Sequence, residues 1–201
     1  MRAPLRLGVL GSGKGSNYRA IMEHINDGKL QAEVRIVISD VEDAGILTLA
    51  RDYQVPALYI RPGKYRTRLE PEVEQDIVRL LQEAGVEFVV LAGFMRVVKQ
   101  PLLEAFPRRI INIHPSLLPK FPGLSAWKQA LEAGDRVTGC TVHYVDSGVD
   151  SGPIIGQREV PILSGDTAET LHARIQQQEH ELLPAILQEI AEGPAAANVS
   201  P

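Results

Sequence analysis

The chain has 201 residues, 25 acidic against 21 basic side chains and a formal charge of -4. A domain of this length buries roughly 70% of the surface its unfolded chain exposes, and the acidic balance provides no footprint for nucleic acid or an anionic membrane, both of which need clustered Lys and Arg. The single cysteine, Cys140, excludes an intramolecular disulfide and fits a reducing compartment.

The first apolar stretch, LRLGVL, is interrupted by Arg6 and is too short for a signal sequence or a membrane span. A cytoplasmic protein acting on small soluble partners is expected. LRLGVL reads instead as a buried strand, and GSGKGSN (residues 11–17) leads from it into a helix over residues 17–26. VRIVIS, a helix over 44–53 and the short strand PALYI repeat the pattern. A helix over 70–84, the strand EFVVLAG, a short helix over 101–106 and the strand RIINIH complete it. Apolar runs alternating with helical periodicity predict βαβ units, hence an α/β, Rossmann-like domain with a mostly parallel sheet and helices on both faces.

After Lys120 the texture changes. A helix over 125–133 precedes TGCTVHYV and PIIGQREV, joined by DSGVDSG, which predicts an antiparallel C-terminal addition to the sheet. Asp166 followed by Glu169 reads as a capping box for a helix running to about residue 192, with a kink or break at Pro184. Residues 1–192 are expected to form one domain, its N-terminal half binding phosphate and its C-terminal half carrying the chemistry. The tail over 193–201 is expected to be disordered.

Four stretches can carry chemistry. In GSGKGSN, a turn between strand and helix offers backbone N–H groups and the positive end of the helix to a phosphate. Gly11 and Gly13 begin a dinucleotide fingerprint, with Asp40 placed for a ribose, but Ser16 stands where the third glycine belongs. The order Lys14-Gly15-Ser16 is not a Walker A ending either. A single phosphate monoester is the reading that asks least. In INIHP, strand alternation puts Asn112 and His114 on one face and Ile111 and Ile113 on the other, and Pro115 keeps His114 extended. An amide and an imidazole converging at the carboxyl end of a strand are what a developing oxyanion needs. In VDSGVDSGP, Asp146 and Asp150 are sufficient as turn residues, yet a carboxylate delivered near His114 would relay a proton, and Asp150 is the better candidate. In LAGFMRVV, Phe94, Met95, Val97 and Val98 are either core or an apolar slot for a flat ring, flanked by Gly93 and Arg96. His143 either lines the same cleft or is a polar face residue. Cys140 reads as a small buried apolar residue. His24, His172 and His180 lie on helical patterns without ligand spacing, so no metal is expected.

GSGKGSN, LAGFMR, NIHPSLLPKFPG, HYVDSGVDSGP and QQQEH together resemble the folate-dependent formyltransferases, from residue 5 to about residue 190, and within them the phosphoribosylglycinamide branch. The resemblance implies transfer of a formyl group from 10-formyltetrahydrofolate to the amine of phosphoribosylglycinamide in purine (IMP) biosynthesis. It implies Asn112, His114 and Asp150 as catalytic, and Gly15, Ser16 and Asn17 on the substrate phosphate. It puts Gln176 and Glu179 on the ribonucleotide. The folate would lie on Met95, Arg96, Val97, Val98 and Asn112 and on the loop of Asp146, Ser147, Gly148, Val149 and Asp150. Where the family offers one arginine to the folate tail, this chain has Lys64, Arg66 and Arg68, of which Arg68 is taken. Lys14 has no family role. The partners implied are small molecules, with the protein a monomer or homodimer. Methionyl-tRNA formyltransferase and formyltetrahydrofolate deformylase share the chemistry but carry an added domain that this chain is expected to lack. Two other classes compete. An NAD-binding dehydrogenase would use Gly11, Gly13 and Asp40 and leaves the Asn112, His114 and Asp150 set unexplained. The other is a non-catalytic nucleotide sensor.

Overall fold

The computed structural model describes residues 3–193, so the expected disorder of residues 194–201 falls outside the described residues. β1 (Leu5–Leu10), α1 (Ser16–Asn26), β2 (Ala32–Ser39), α2 (Gly45–Asp52) and β3 (Ala57–Tyr59) form the first half. α3 (Pro71–Glu83), β4 (Phe88–Leu91), α4 (Gln100–Ala105) and β5 (Ile110–His114) follow. α5 (Ala126–Glu132), β6 (Val137–Tyr144), β7 (Ile154–Pro161) and α6 (Ala168–Glu192) complete the chain. The strands join one sheet in the order β3-β2-β1-β4-β5-β6-β7. β1 to β5 run parallel and β6 and β7 antiparallel, as expected from the change of texture.

Each face carries its own core. α1, α2 and α6 bury Tyr18, Ile21, Ile46, Leu47, Leu183 and Leu187 against Leu7, Val9, Ile111 and Ile113. On the other face α3 and α4 bury Ile77, Leu81 and Leu102 against Leu10, Ile38, Val89 and Ile110. Covering both faces explains why the parallel strands read as continuous apolar runs. The strand order reverses between β1 and β4, and at such a reversal the loops beyond the carboxyl ends part to leave a crevice. The glycine-rich loop after β1 and the LAGFMR strip after β4 flank that point, joined by the Ser12 N–H on the Gly93 carbonyl at 3.0 Å.

Two expectations are corrected. The cap of α6 is Thr167, whose hydroxyl accepts from the Thr170 N–H while the Thr170 hydroxyl accepts from the Thr167 N–H. Asp166 is spent elsewhere, on the Arg174 guanidinium and the Leu163 N–H, so the next residue takes the capping position. α6 also runs unbroken through Pro184. A proline inside a helix costs about 3 kcal/mol. Burial of the flanking Leu182, Leu183, Ile186 and Leu187 on the sheet, at roughly 1.5–3 kcal/mol for each large aliphatic side chain, outweighs it.

Candidate active site

β5 delivers Asn112 and His114 to one face, with Ile111 and Ile113 in the core behind them. Antiparallel pairing with β6 sets Asn112 directly opposite His143 and His114 opposite Thr141. The return from β6 to β7 is so tight that a Cβ on Gly152 would lie 1.8 Å from the Tyr144 carbonyl oxygen, so only glycine fits. Within that turn the Asp146 carboxylate accepts from the Gly148 N–H and the Ser151 hydroxyl. Asp150, at φ 50°, is held in the left-handed region, which asparagine and aspartate tolerate better than most residues. This conformation turns its carboxylate back onto the sheet.

The result is a carboxylate between two imidazoles. Asp150 Oδ2 lies 3.3 Å from His114 Nδ1 and accepts the Gly123 N–H at 2.8 Å. Its Oδ1 lies 3.5 Å from His143 Nε2 and 3.3 Å from Asn112 Nδ2. The far side of each ring faces a carbonyl, which can only accept. His114 Nε2 therefore donates to Phe121 at 2.9 Å, and His143 Nδ1 to Tyr144 at 2.8 Å. His143 Nε2 also lies 3.3 Å from Asn112 Nδ2. Burial pulls the His114 imidazole below its ordinary pKa, against the opposing pull of Asp150 and the Phe121 carbonyl. Burial pushes Asp150 up, but its contacts with both imidazoles and the Gly123 N–H outweigh this and carry it below the usual carboxylate range. An ionised Asp150 follows, held closely by the Gly123 N–H, while its contacts with His114 Nδ1, His143 Nε2 and Asn112 Nδ2 lie beyond the ordinary hydrogen-bonding distance. Asn112 Nδ2 is thereby only loosely committed.

About the glycine-rich loop, Gly15 caps α1 at φ 82° with no side-chain hydrogen bond to the helix end. A Cβ there would also crowd Ile46 at 3.0 Å. The first N–H groups of α1, from Ser16 onward, therefore point outward with no capping side chain, the usual setting for an anion. Asn17 donates to Glu179 at 2.9 Å across the α1–α6 contact, while its own Oδ1 is buried without a partner. Burial raises the pKa of Glu179, partly opposed by that hydrogen bond. Gln176, half-buried one helical turn before Glu179, faces the same side. Cys140, close to Glu179, is pushed up to about 12 by burial, as befits an unreactive thiol.

Met95 and Val149 stand exposed beside the site, and Val98 is buried. The Arg68 backbone bridges that of Val97, and its guanidinium lies 4.1 Å over the Tyr65 ring. Lys64 reaches toward Glu70 at 3.9 Å, and Arg66 is exposed. Lys99 Nζ donates to the Ser147 carbonyl, tethering the loop to α4. Arg96 turns inward onto Asp40 and two backbone carbonyls, which leaves its backbone, not its guanidinium, for a ligand and fills Asp40 against a ribose. The packing thus gathers Asn112, His114 and Asp150 in one cluster and Asn17 and Glu179 in another. His143, left open between cleft and bland face, belongs to the first. Its one sequence signal was its alternation against Val142 and Tyr144. Among the described residues no group of three or more His, Cys, Asp or Glu is arranged around a common point for a metal ion.

The sequence pattern of the formyl transferase family matches residues 5–187. This chain belongs to the formyl transferase family. Phosphoribosylglycinamide formyltransferase of Bacillus subtilis is 39% identical to this formyl transferase over 185 residues, 92% of this chain and 94% of that protein. The trifunctional purine biosynthetic protein adenosine-3 of Drosophila pseudoobscura pseudoobscura is 49% identical over 192 residues, 94% of this chain. The match spans only 14% of that relative's length. The crystal structure of glycinamide ribonucleotide transformylase 1 from Symbiobacterium toebii superposes with a TM-score of 0.90 at 49% identity, covering 95% of this formyl transferase and 89% of that chain.

Proposed function

We propose that this formyl transferase moves the formyl group of 10-formyltetrahydrofolate to the amine of N1-(5-phospho-D-ribosyl)glycinamide, yielding the N2-formyl product and tetrahydrofolate. The observation that carries the reading is the Asn112, His114 and Asp150 cluster at the carboxyl end of β5, in a chain similar from end to end to phosphoribosylglycinamide formyltransferases. In this reading residues 1–192 act as one domain. The loop of Gly15, Ser16 and Asn17 takes the phosphate, and Gln176 and Glu179 take the rest of the ribonucleotide. The unpartnered Asn17 Oδ1 fits that part, since a buried acceptor without a donor is costly unless a ligand supplies one. The flat folate ring lies along the backbone of residues 95–98 and the loop of residues 146–150, with the exposed Met95 and Val149 as its apolar walls. Arg68 meets the folate tail, because its backbone is the one tied to Val97.

The residues then divide the work. Asn112 Nδ2, loosely held at 3.3 Å in the resting site, swings its donation to the formyl oxygen as negative charge develops there. His114 Nε2–H does the same once it leaves the Phe121 carbonyl. Phe121 sits at φ 54° and Ser125 at φ 54°, so the segment that holds the carbonyl in place is itself strained. Asp150, ionised and aligned by Gly123, takes the proton from the attacking amine and returns it to the departing nitrogen. Holding both substrates in one crevice makes their reaction effectively intramolecular.

Purified protein mixed with the nucleotide and 10-formyltetrahydrofolate should release tetrahydrofolate only when the nucleotide is present. Equal release without it makes water the acceptor and withdraws the assignment of the glycine-rich loop.

A further inference from the structure

Asp40 directly follows β2 and is only 7% exposed, yet it carries a carboxylate. A buried charge persists where it is paired. Here its partners come from three separate segments. Arg96 Nε donates to Oδ2 at 2.7 Å, and the Ser12 hydroxyl donates to Oδ1. Ser12 Oγ in turn accepts the Met95 N–H at 2.9 Å, and Arg96 Nη1 donates to the Tyr65 and Arg66 carbonyls. The direction of every bond is determined. An amide can only donate to Ser12 Oγ, so the hydroxyl hydrogen must go to Asp40, and Arg96 can only donate. One carboxylate thereby ties the glycine-rich loop, the strip after β4 and the loop before α3.

We propose that Asp40 is a positioning residue that couples the nucleotide and folate subsites, so that ordering of the glycine-rich loop and ordering of the folate strip are a single event. The coupling of substrates rests on the function read above. The physical joint between the segments does not. No other acceptor replaces the carboxylate. In Asp40→Asn the side-chain oxygen still receives Arg96, but the amide N–H then faces Ser12. The Ser12 hydroxyl hydrogen is left without an acceptor unless Ser12 rotates and releases the Met95 N–H. Either way the side-chain joint between the loop and the strip is weakened, leaving the Ser12 N–H on the Gly93 carbonyl as their remaining bond.

Two measurements on Asp40→Asn test this. Turnover at saturation should stay within about three-fold of wild type, while KM rises for both substrates by a similar factor, roughly five-fold or more, the size typical of coupling between sites. Hydrogen exchange of the ligand-free protein should quicken together at the amides of residues 12–16 and 95–98, with the far end of the sheet unchanged. Ser12→Ala, which removes the hydroxyl between Asp40 and the Met95 N–H and leaves the Asp40–Arg96 pair and the backbone bond to Gly93, should show the same pattern more weakly and serves if Asp40→Asn does not fold. A rise in one KM alone, loosening of one segment alone, or uniform loosening with a fall in turnover overturns the proposal. If the wild type transfers no formyl group, the substrate assignment fails. The exchange experiment then decides whether Asp40 joins the two segments.

Discussion

The two polar clusters are built on opposite principles. Asn17 and Glu179, 162 residues apart, meet in a short, direct bond inside the α1–α6 contact. The cluster of Asn112, His114, His143 and Asp150 is held by contacts of 3.3–3.5 Å, with Asp150 and the nearby Phe121 in the left-handed region. One has its single side-chain bond fully made, with Asn17 Oδ1 left over, whereas the other is kept short of ideal. The difference fits the tasks proposed for them. A phosphate that is bound but not transformed is served by a rigid, preformed grip. Charge that appears only in the transition state is served by a donor such as Asn112 Nδ2, whose ground-state partners are all distant.

Breaking the loose cluster should cost most. His114→Ala is expected to lower kcat by about 100-fold or more, the scale on which removing a donor to a developing oxyanion is felt, with KM for the nucleotide nearly unchanged. Steady-state kinetics showing near wild-type turnover would remove His114 from the mechanism. Breaking the finished cluster should act on binding instead. Asn17→Asp places a second carboxylate against Glu179 and a like charge against phosphate, and should raise the nucleotide KM roughly ten-fold, about 1.4 kcal/mol. Folate affinity, followed by titration, should not move. The mildest test sharpens the comparison without ligands. Burial raises the pKa of Glu179, so the folded state holds its proton to higher pH than the unfolded chain. Its favourable contribution is present at low pH and is lost as pH rises through the folded pKa. Glu179→Gln does not titrate, so its Tm relative to wild type should increase from pH 5 to pH 8. A flat difference would show that Glu179 is not held by burial.

What was legible in the sequence follows from which forces are local. The seven strands and six helices among the described residues were readable, because strand alternation, helical periodicity and turn residues are written within each segment. The shared face of Asn112 and His114 came from the same rule. The Thr167 cap and the continuity at Pro184 escaped because Arg174 and the sheet decide them from a distance. The inward turn of Arg96 escaped for the same reason, since its partner lies 56 residues away. His143 was legible only in part. Alternation showed which way it faced, but not that Asp150 would be folded back to meet it.

One contact gives the site an optical handle. Trp127, the only tryptophan in the chain, stacks on His172 with ring centroids 3.8 Å apart and planes 3° from parallel. It lies in the first turn of α5, shortly after the segment whose Phe121 carbonyl holds His114. All the indole emission of this protein therefore originates close in the chain to the stretch of backbone that, in the proposed reaction, lets go of His114, and release of that stretch can be timed by light without any label being added.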